Sequence, residues 1–120
     1  MTEKLRRLYY HIIVKERVQM NYNIIKRKDR LVVKIDGELD HHNSKSIREN
    51  IDIEIKSGDV KTLVFDFSDL VFMDSSGIGI IMGRFQLMSL YGGRVVVEHA
   101  PEYVKKIIFM SGLRGMIDVA

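Results

Sequence analysis

The sequence predicts a single α/β domain: a mixed β-sheet that begins with an N-terminal hairpin and has helices packed on it. Three observations predict this class. Short apolar runs rich in β-branched residues, at 31–35, 63–67 and 95–97, alternate with segments of helical period, the pattern of strands joined by helices. Two strand-like runs near the start are separated by the polar pair Lys28-Asp29, which reads as a hairpin. A length of 120 residues, with 46% hydrophobic and 29% charged side chains, suits one core of ordinary globular composition.

Each element follows in order. Tyr22–Arg27 and Leu31-Val32-Val33-Lys34-Ile35 are the hairpin strands, and Asp36-Gly37-Glu38 carries a turn signal after them. Residues 43–57 place Ile47, Ile51 and Ile55 at four-residue steps, one narrow apolar stripe of a helix, with Gly58 as its C′ stop. Leu63-Val64-Phe65-Asp66-Phe67 is a second strong strand. A helix opened by Ser75-Ser76 runs through Ile78, Ile81, Met82, Phe85 and Met88 to a break at Gly92-Gly93. Gly79 and Gly83 share one of its faces, and close packing of that face on the sheet offsets a propensity cost of about 1 kcal/mol each. Arg94-Val95-Val96-Val97 is the next strand. Pro101 fits the first position of a helix carrying Val104, Ile107 and Ile108, Gly112 ends it, and residues 116–119 form a short last strand. Crossovers between parallel strands are right-handed.

Charge divides the chain at residue 20. Residues 1–19 hold Lys4, Arg6, Arg7, Lys15 and Arg17 against Glu3 and Glu16, a surplus of three that equals the net charge of the whole chain. The rest is neutral overall and has no basic run interleaved with aromatics, so no nucleic-acid partner is expected. Residues 1–19 read as an N-terminal extension, with Leu5, Leu8, Tyr9 and Ile12 at the spacing of a short basic amphipathic helix; disorder and a start at Met20 are the other readings. Residues 20–120 are the domain. The absence of cysteine removes disulfide, thiolate and Cys-based zinc chemistry. No apolar run nears the roughly 20 residues of a membrane span, and a cytoplasmic protein is expected.

Functional chemistry concentrates at Phe72-Met73-Asp74-Ser75-Ser76-Gly77-Ile78-Gly79, where an apolar strand turns into a helix. Helix N-termini gather free N–H donors and positive partial charge, so a phosphoryl group is electrostatically welcome on a hydroxyl there. One serine can cap the helix while the other stays free to react, or both can be caps. Asp74 can orient a hydroxyl or serve the helix dipole. No Gly-x-Ser-x-Gly elbow is present, so self-catalysis is not expected. A second cluster, Asp36-Gly37-Glu38-Leu39-Asp40-His41-His42, has metal-ligating residue types, but adjacent histidines converge poorly on one ion; a strand-to-helix turn with Asp40 or Asn43 as N-cap is the better reading, and no metal is expected. If the sheet is parallel here, both turns share one carboxyl edge. Gly77, Gly79 and Gly83 imitate a dinucleotide fingerprint, with the third glycine one position late.

Taken together, Gly37-Glu38-Leu39-Asp40-His41-His42, Phe72 to Gly79 with Gly83-Arg84, and Met110-Ser111-Gly112-Leu113 fall at the spacing of one family. From about Met20 to Ala120 the chain resembles the anti-sigma factor antagonists of the STAS family, most of all those of sporulation. The resemblance implies a STAS-type mixed sheet flanked by helices, no enzymatic activity and no cofactor. It also implies a nucleotide-loaded anti-sigma factor that is a serine kinase as partner, and a serine phosphatase that reverses the modification. On that mapping Ser75 is the phosphate acceptor, Ser76 the capping neighbour, Asp40 an aspartate beside the acceptor, and Asp74, Gly77, Ile78 and Gly79 part of the partner-facing helix start. Relative to the family, residues 1–19 have no counterpart and the chain ends before a last helix. A monomer is expected. The rival reading is a nucleotide- or small-molecule-binding STAS module.

Overall fold

The computed structural model describes residues 2–6 and 21–120. Residues 3–6 form one helical turn, and the remainder of the amphipathic stretch expected around Leu8, Tyr9 and Ile12 lies outside the described residues. The domain runs β1 (Tyr22–Arg27), β2 (Arg30–Leu39), α1 (Ser44–Lys56), β3 (Thr62–Met73), α2 (Ser75–Leu90), β4 (Arg94–Glu98), α3 (Glu102–Met110) and β5 (Asp118–Val119). The strands lie in the order β1-β2-β3-β4-β5. The expected hairpin is the antiparallel β1–β2 pair, with Lys28 at a φ of 56° in its turn; every other pairing is parallel and carries a helix or loop crossover.

Period-two alternation puts Leu31, Val33 and Ile35 of β2, Leu63, Phe65 and Phe67 of β3, and Val95 and Val97 of β4 on one face. There they meet Ile47, Ile51 and Ile55 of α1, Ile80, Ile81 and Met88 of α2, and Val104 and Ile108 of α3 in one core. The other face carries Val32, Val64 and Val96 in one row across the sheet. Arg30 and Glu98 pair at 2.9 Å from opposite corners of that face, and the diagonal between them crosses Val64, which is fully buried. Long charged side chains thus cover apolar surface on this face, where none of the helices α1–α3 packs.

Four expectations need correction. Asp36-Gly37-Glu38 is not a turn: β2 continues to Leu39, and Gly37, with a φ of 92°, sits where the β2–β3 register shifts. Only glycine adopts that backbone without strain, so the sequence signal marks a β-bulge. β3 is 12 residues long and not five, because two extra residues on β3 let it follow β2 to Met73 despite the polar Ser68-Asp69. The helix after β4 starts at Glu102, one position later than expected, because Pro101 takes the N-cap and not the first helical position. The last strand is Asp118–Val119 alone.

Candidate functional site at the carboxyl edge of the sheet

Parallel pairing of β2 and β3 ends at Leu39 opposite Met73, so Asp40 and Asp74 leave neighbouring strand ends on the same edge. The backbone N–H of Asp74 donates to the carbonyl of Leu39 at 3.3 Å and ties the two turns together. Asp74 is the N-cap of α2, extended at φ −104° and ψ −170°, and its Oδ1 accepts from the Ser76 N–H at 2.8 Å. Its carbonyl accepts from the Gly77 N–H at 3.0 Å. The expectation that a serine caps this helix is therefore corrected. An acceptor-only carboxylate one residue earlier takes the cap, and Ser75 and Ser76 already have helical positions from which a side chain does not reach back to the first-turn donors. Ser75, the first helical residue, is exposed, and its Oγ makes no hydrogen bond among the described residues. Ser76 is half-buried.

Asp40 shapes the other turn. Its Oδ1 accepts from the N–H groups of His42 at 2.9 Å and Asn43 at 3.3 Å, and its own N–H donates to Asn43 Oδ1 at 3.0 Å. Asn43 occupies the N-cap of α1 without capping it; its Nδ2 donates instead to the carbonyl of Glu38 at 2.6 Å and to Asn21 Oδ1 at 3.2 Å, which locks β2, the turn and the start of β1. Desolvation pushes the Asp40 carboxyl up, but the backbone donors of His42 and Asn43, the charge of His42 and a hydrogen bond with Glu38 outweigh it and hold the pKa below the ordinary value. His41 and His42 are exposed, with ring centroids 3.9 Å apart, and among the described residues no group of three or more metal-ligating side chains converges.

The glycines of α2 divide differently from expectation. A Cβ on Gly77 would lie 2.3 Å from Met73 Cγ and 3.1 Å from Leu39 Cδ2, whereas one on Gly79 or Gly83 would meet nothing within 4 Å. Close approach belongs to Gly77, and what fills the space is apolar side chain, so this one glycine serves packing at the strand–helix joint while Gly79 and Gly83 do not. Ile78 is half-buried against the core, while Gly79 and Met82 are exposed along the helix face that Ser75 begins.

Sequence reasoning placed Arg84 in a family motif but gave it no structural role. It is 7% exposed and its Nε lies 2.9 Å from Asp52 Oδ1, joining α2 to α1. The N–H groups do not point at the carboxylate, so Arg84 Nε and Nη1 and Asp52 Oδ1 lack aligned hydrogen bonds despite the Coulombic contact. Burial lowers the guanidinium's pKa, the Asp52 charge opposes this, and Arg48 adds to the lowering. The buried stripe of α2 is Ile80, Ile81, Arg84 and Met88, a pattern that continues through the arginine; that continuity was the available signal.

Residues 21–120 match the STAS domain family. An anti-sigma F factor antagonist of Paenibacillus polymyxa is 40% identical over 83 residues, which cover 69% of this chain and 71% of that protein. The structure of the anti-sigma factor antagonist SpoIIAA in its unphosphorylated form superposes with a TM-score of 0.75 at 33% identity, over 82% of this chain and 87% of that one. The Bacillus cell fate determinant SpoIIAA in the phosphorylated form gives a TM-score of 0.70 at 32% identity, over 82% and 90%.

Proposed function

The chain belongs to the STAS domain family, and from that membership we propose that it is an anti-sigma factor antagonist switched by phosphorylation of Ser75. Unmodified, it binds a nucleotide-loaded anti-sigma factor and frees the sigma factor. The same partner, acting as a serine kinase, transfers the γ-phosphoryl group of ATP to Ser75 Oγ and releases ADP. A serine phosphatase then hydrolyses the ester and restores the hydroxyl. The chain acts as substrate and ligand in this cycle, in the cytoplasm and as a monomer.

One observation carries this reading: the hydroxyl of Ser75 is exposed at the first residue of α2 while Asp74 caps the helix, so modifying Ser75 takes no bond away from the fold. A phosphate adds about −1.5 to −2 charges and three strong acceptors next to the N–H groups of the first turn. The helix tolerates it. A docked partner does not, because an interface fitted to a neutral hydroxyl must desolvate a dianion that stands beside Asp74 and close to Asp40. An uncompensated charge in a docked patch costs about 3–4 kcal/mol, a 100- to 1,000-fold loss of affinity. The fold of this chain superposes on SpoIIAA in its unphosphorylated form and on SpoIIAA in the phosphorylated form, with TM-scores of 0.75 and 0.70, which supports a switch that acts at the surface. Asp40, Asp74, Ser76, Gly77, Ile78 and Gly79 surround the acceptor as the partner-facing surface.

Incubation with the anti-sigma factor kinase and Mg·ATP, followed by mass mapping of tryptic peptides, tests the reading. A single phosphate on Ser75 is expected; phosphate elsewhere, with Ser75 unmodified, refutes it.

A further inference from the structure

β3 outruns β4. β4 ends at Glu98 opposite Asp66, so residues 67–73 are paired on one side only, with β2. Within this overhang Gly37 pairs with Leu70 and Glu38 with Phe72, which leaves Val71 as the extra residue of a bulge. Phe67, Leu70 and Met73 turn inward, and Val71 and Phe72 both turn out, 71% and 47% exposed. Tyr103 of α3, 41% exposed, donates its hydroxyl to the carbonyl of Val71 and holds the bulge from the other side. Bulges re-aim side chains, and this one brings two neighbouring apolar groups, Val71 and Phe72, to the surface where simple alternation would hide one of them, with the exposed Tyr103 beside them. They end two residues before Asp74 and three before Ser75.

We infer that Val71, Phe72 and Tyr103 form an apolar docking ledge for the anti-sigma factor kinase that modifies Ser75. This rests on the reading of Ser75 as acceptor. Its support is continuity. Three residues of chain span at most about 11 Å, so Phe72 stands within that distance of Ser75. A partner that seats Ser75 Oγ on its ATP covers roughly 800 Å² of this protein, a disc of about 16 Å radius, wider than the reach of the chain from Ser75 to Phe72. Apolar and aromatic groups rimmed by polar ones at such a place are typical anchors of an interface. The ledge is untouched by the phosphate, so it supplies binding in both states and leaves the discrimination between them to Ser75.

The test is the initial rate of Ser75 phosphorylation by purified anti-sigma factor kinase at saturating Mg·ATP, measured against concentration of the intact chain. The double variant Val71→Ser/Phe72→Ser is expected to raise KM at least tenfold with kcat within twofold, the signature of lost uniform binding. Phe72→Leu should return KM to within threefold of the double variant's parent when Val71 is kept. Melting of the double variant is expected to match the unaltered chain, because both side chains lie outside the core; if it does not, Phe72→Ser alone carries the test with at least a fivefold rise. A KM within twofold overturns the ledge and leaves the acceptor reading intact. So does an unchanged KM accompanied by a shift from dimer to monomer in sedimentation, which assigns the ledge to a second copy. Failure of the unaltered chain to gain phosphate on Ser75 overturns both.

Discussion

Replacing Asp74 by alanine removes the one side chain that caps α2, and the expected loss can be worked out from its contacts. The Asp74 Oδ1 bond to the Ser76 N–H is 2.8 Å long, and an N-cap replaced by alanine costs about 1 kcal/mol. Loss of a negative charge at the helix start adds roughly 0.5 kcal/mol. For a domain of this size a loss of about 1.5 kcal/mol lowers the melting temperature by roughly 6 °C. Ser75→Ala and Ser76→Ala delete no hydrogen bond among the described residues and should each stay within about 0.5 kcal/mol of the parent. Asp74→Ser, which keeps an acceptor at the cap, should recover most of the loss. The assay is thermal unfolding followed by circular dichroism, run on all four variants in one buffer. If Ser75→Ala or Ser76→Ala melts as low as Asp74→Ala, a serine caps the helix, and the argument that Ser75 is free for modification loses its structural basis.

Gly77→Ala should destabilise by about 1 kcal/mol, since overpacking against Met73 and Leu39 exceeds the gain in helix propensity, while Gly83→Ala, with open space around it, should stabilise by up to about 1 kcal/mol; urea titrations of both check the contrast. Asp52→Ala leaves Arg84 buried without a counter-charge and should cost about 3 kcal/mol, more than the double variant Asp52→Ala/Arg84→Met, as a double-mutant cycle would read. Asp40 titrates below its ordinary 3.8 in the folded chain, so its contribution is present above that pH and is lost as pH falls through the lower folded value; Asp40→Asn should flatten the acid limb of a stability-against-pH curve below about pH 4.

The alternation of strands and helices was legible because it is written in periods that packing obeys: Ile47, Ile51 and Ile55 for α1, and Leu63, Phe65 and Phe67 for the centre of β3. What failed to show was wherever a local signal has two structural meanings. Gly37 reads as a turn because both turns and bulges need positive φ, and only pairing with β3 decides between them. Ser68-Asp69 hides the outer half of β3, since bulges break the alternation that marks a strand. The cap of α2 was assigned one residue late because Asp, Ser and Ser are all good caps, and the extended backbone of Asp74 selects among them. Arg84 stood in a buried stripe and was passed over because charge argues for the surface; its partner Asp52 is 32 positions away and carries no sequence signature. The clustering of Asp40 with the serine turn was conditional on parallel pairing, which the β2–β3 register supplies.

The most direct test of the switch is calorimetric titration of the anti-sigma factor, loaded with nucleotide, with the chain before and after stoichiometric phosphorylation of Ser75. The account predicts affinity lower by at least 100-fold for the phosphorylated chain, with its melting temperature unchanged within a few degrees. Equal affinities for the two forms, or a phosphorylated chain that has unfolded, would contradict it.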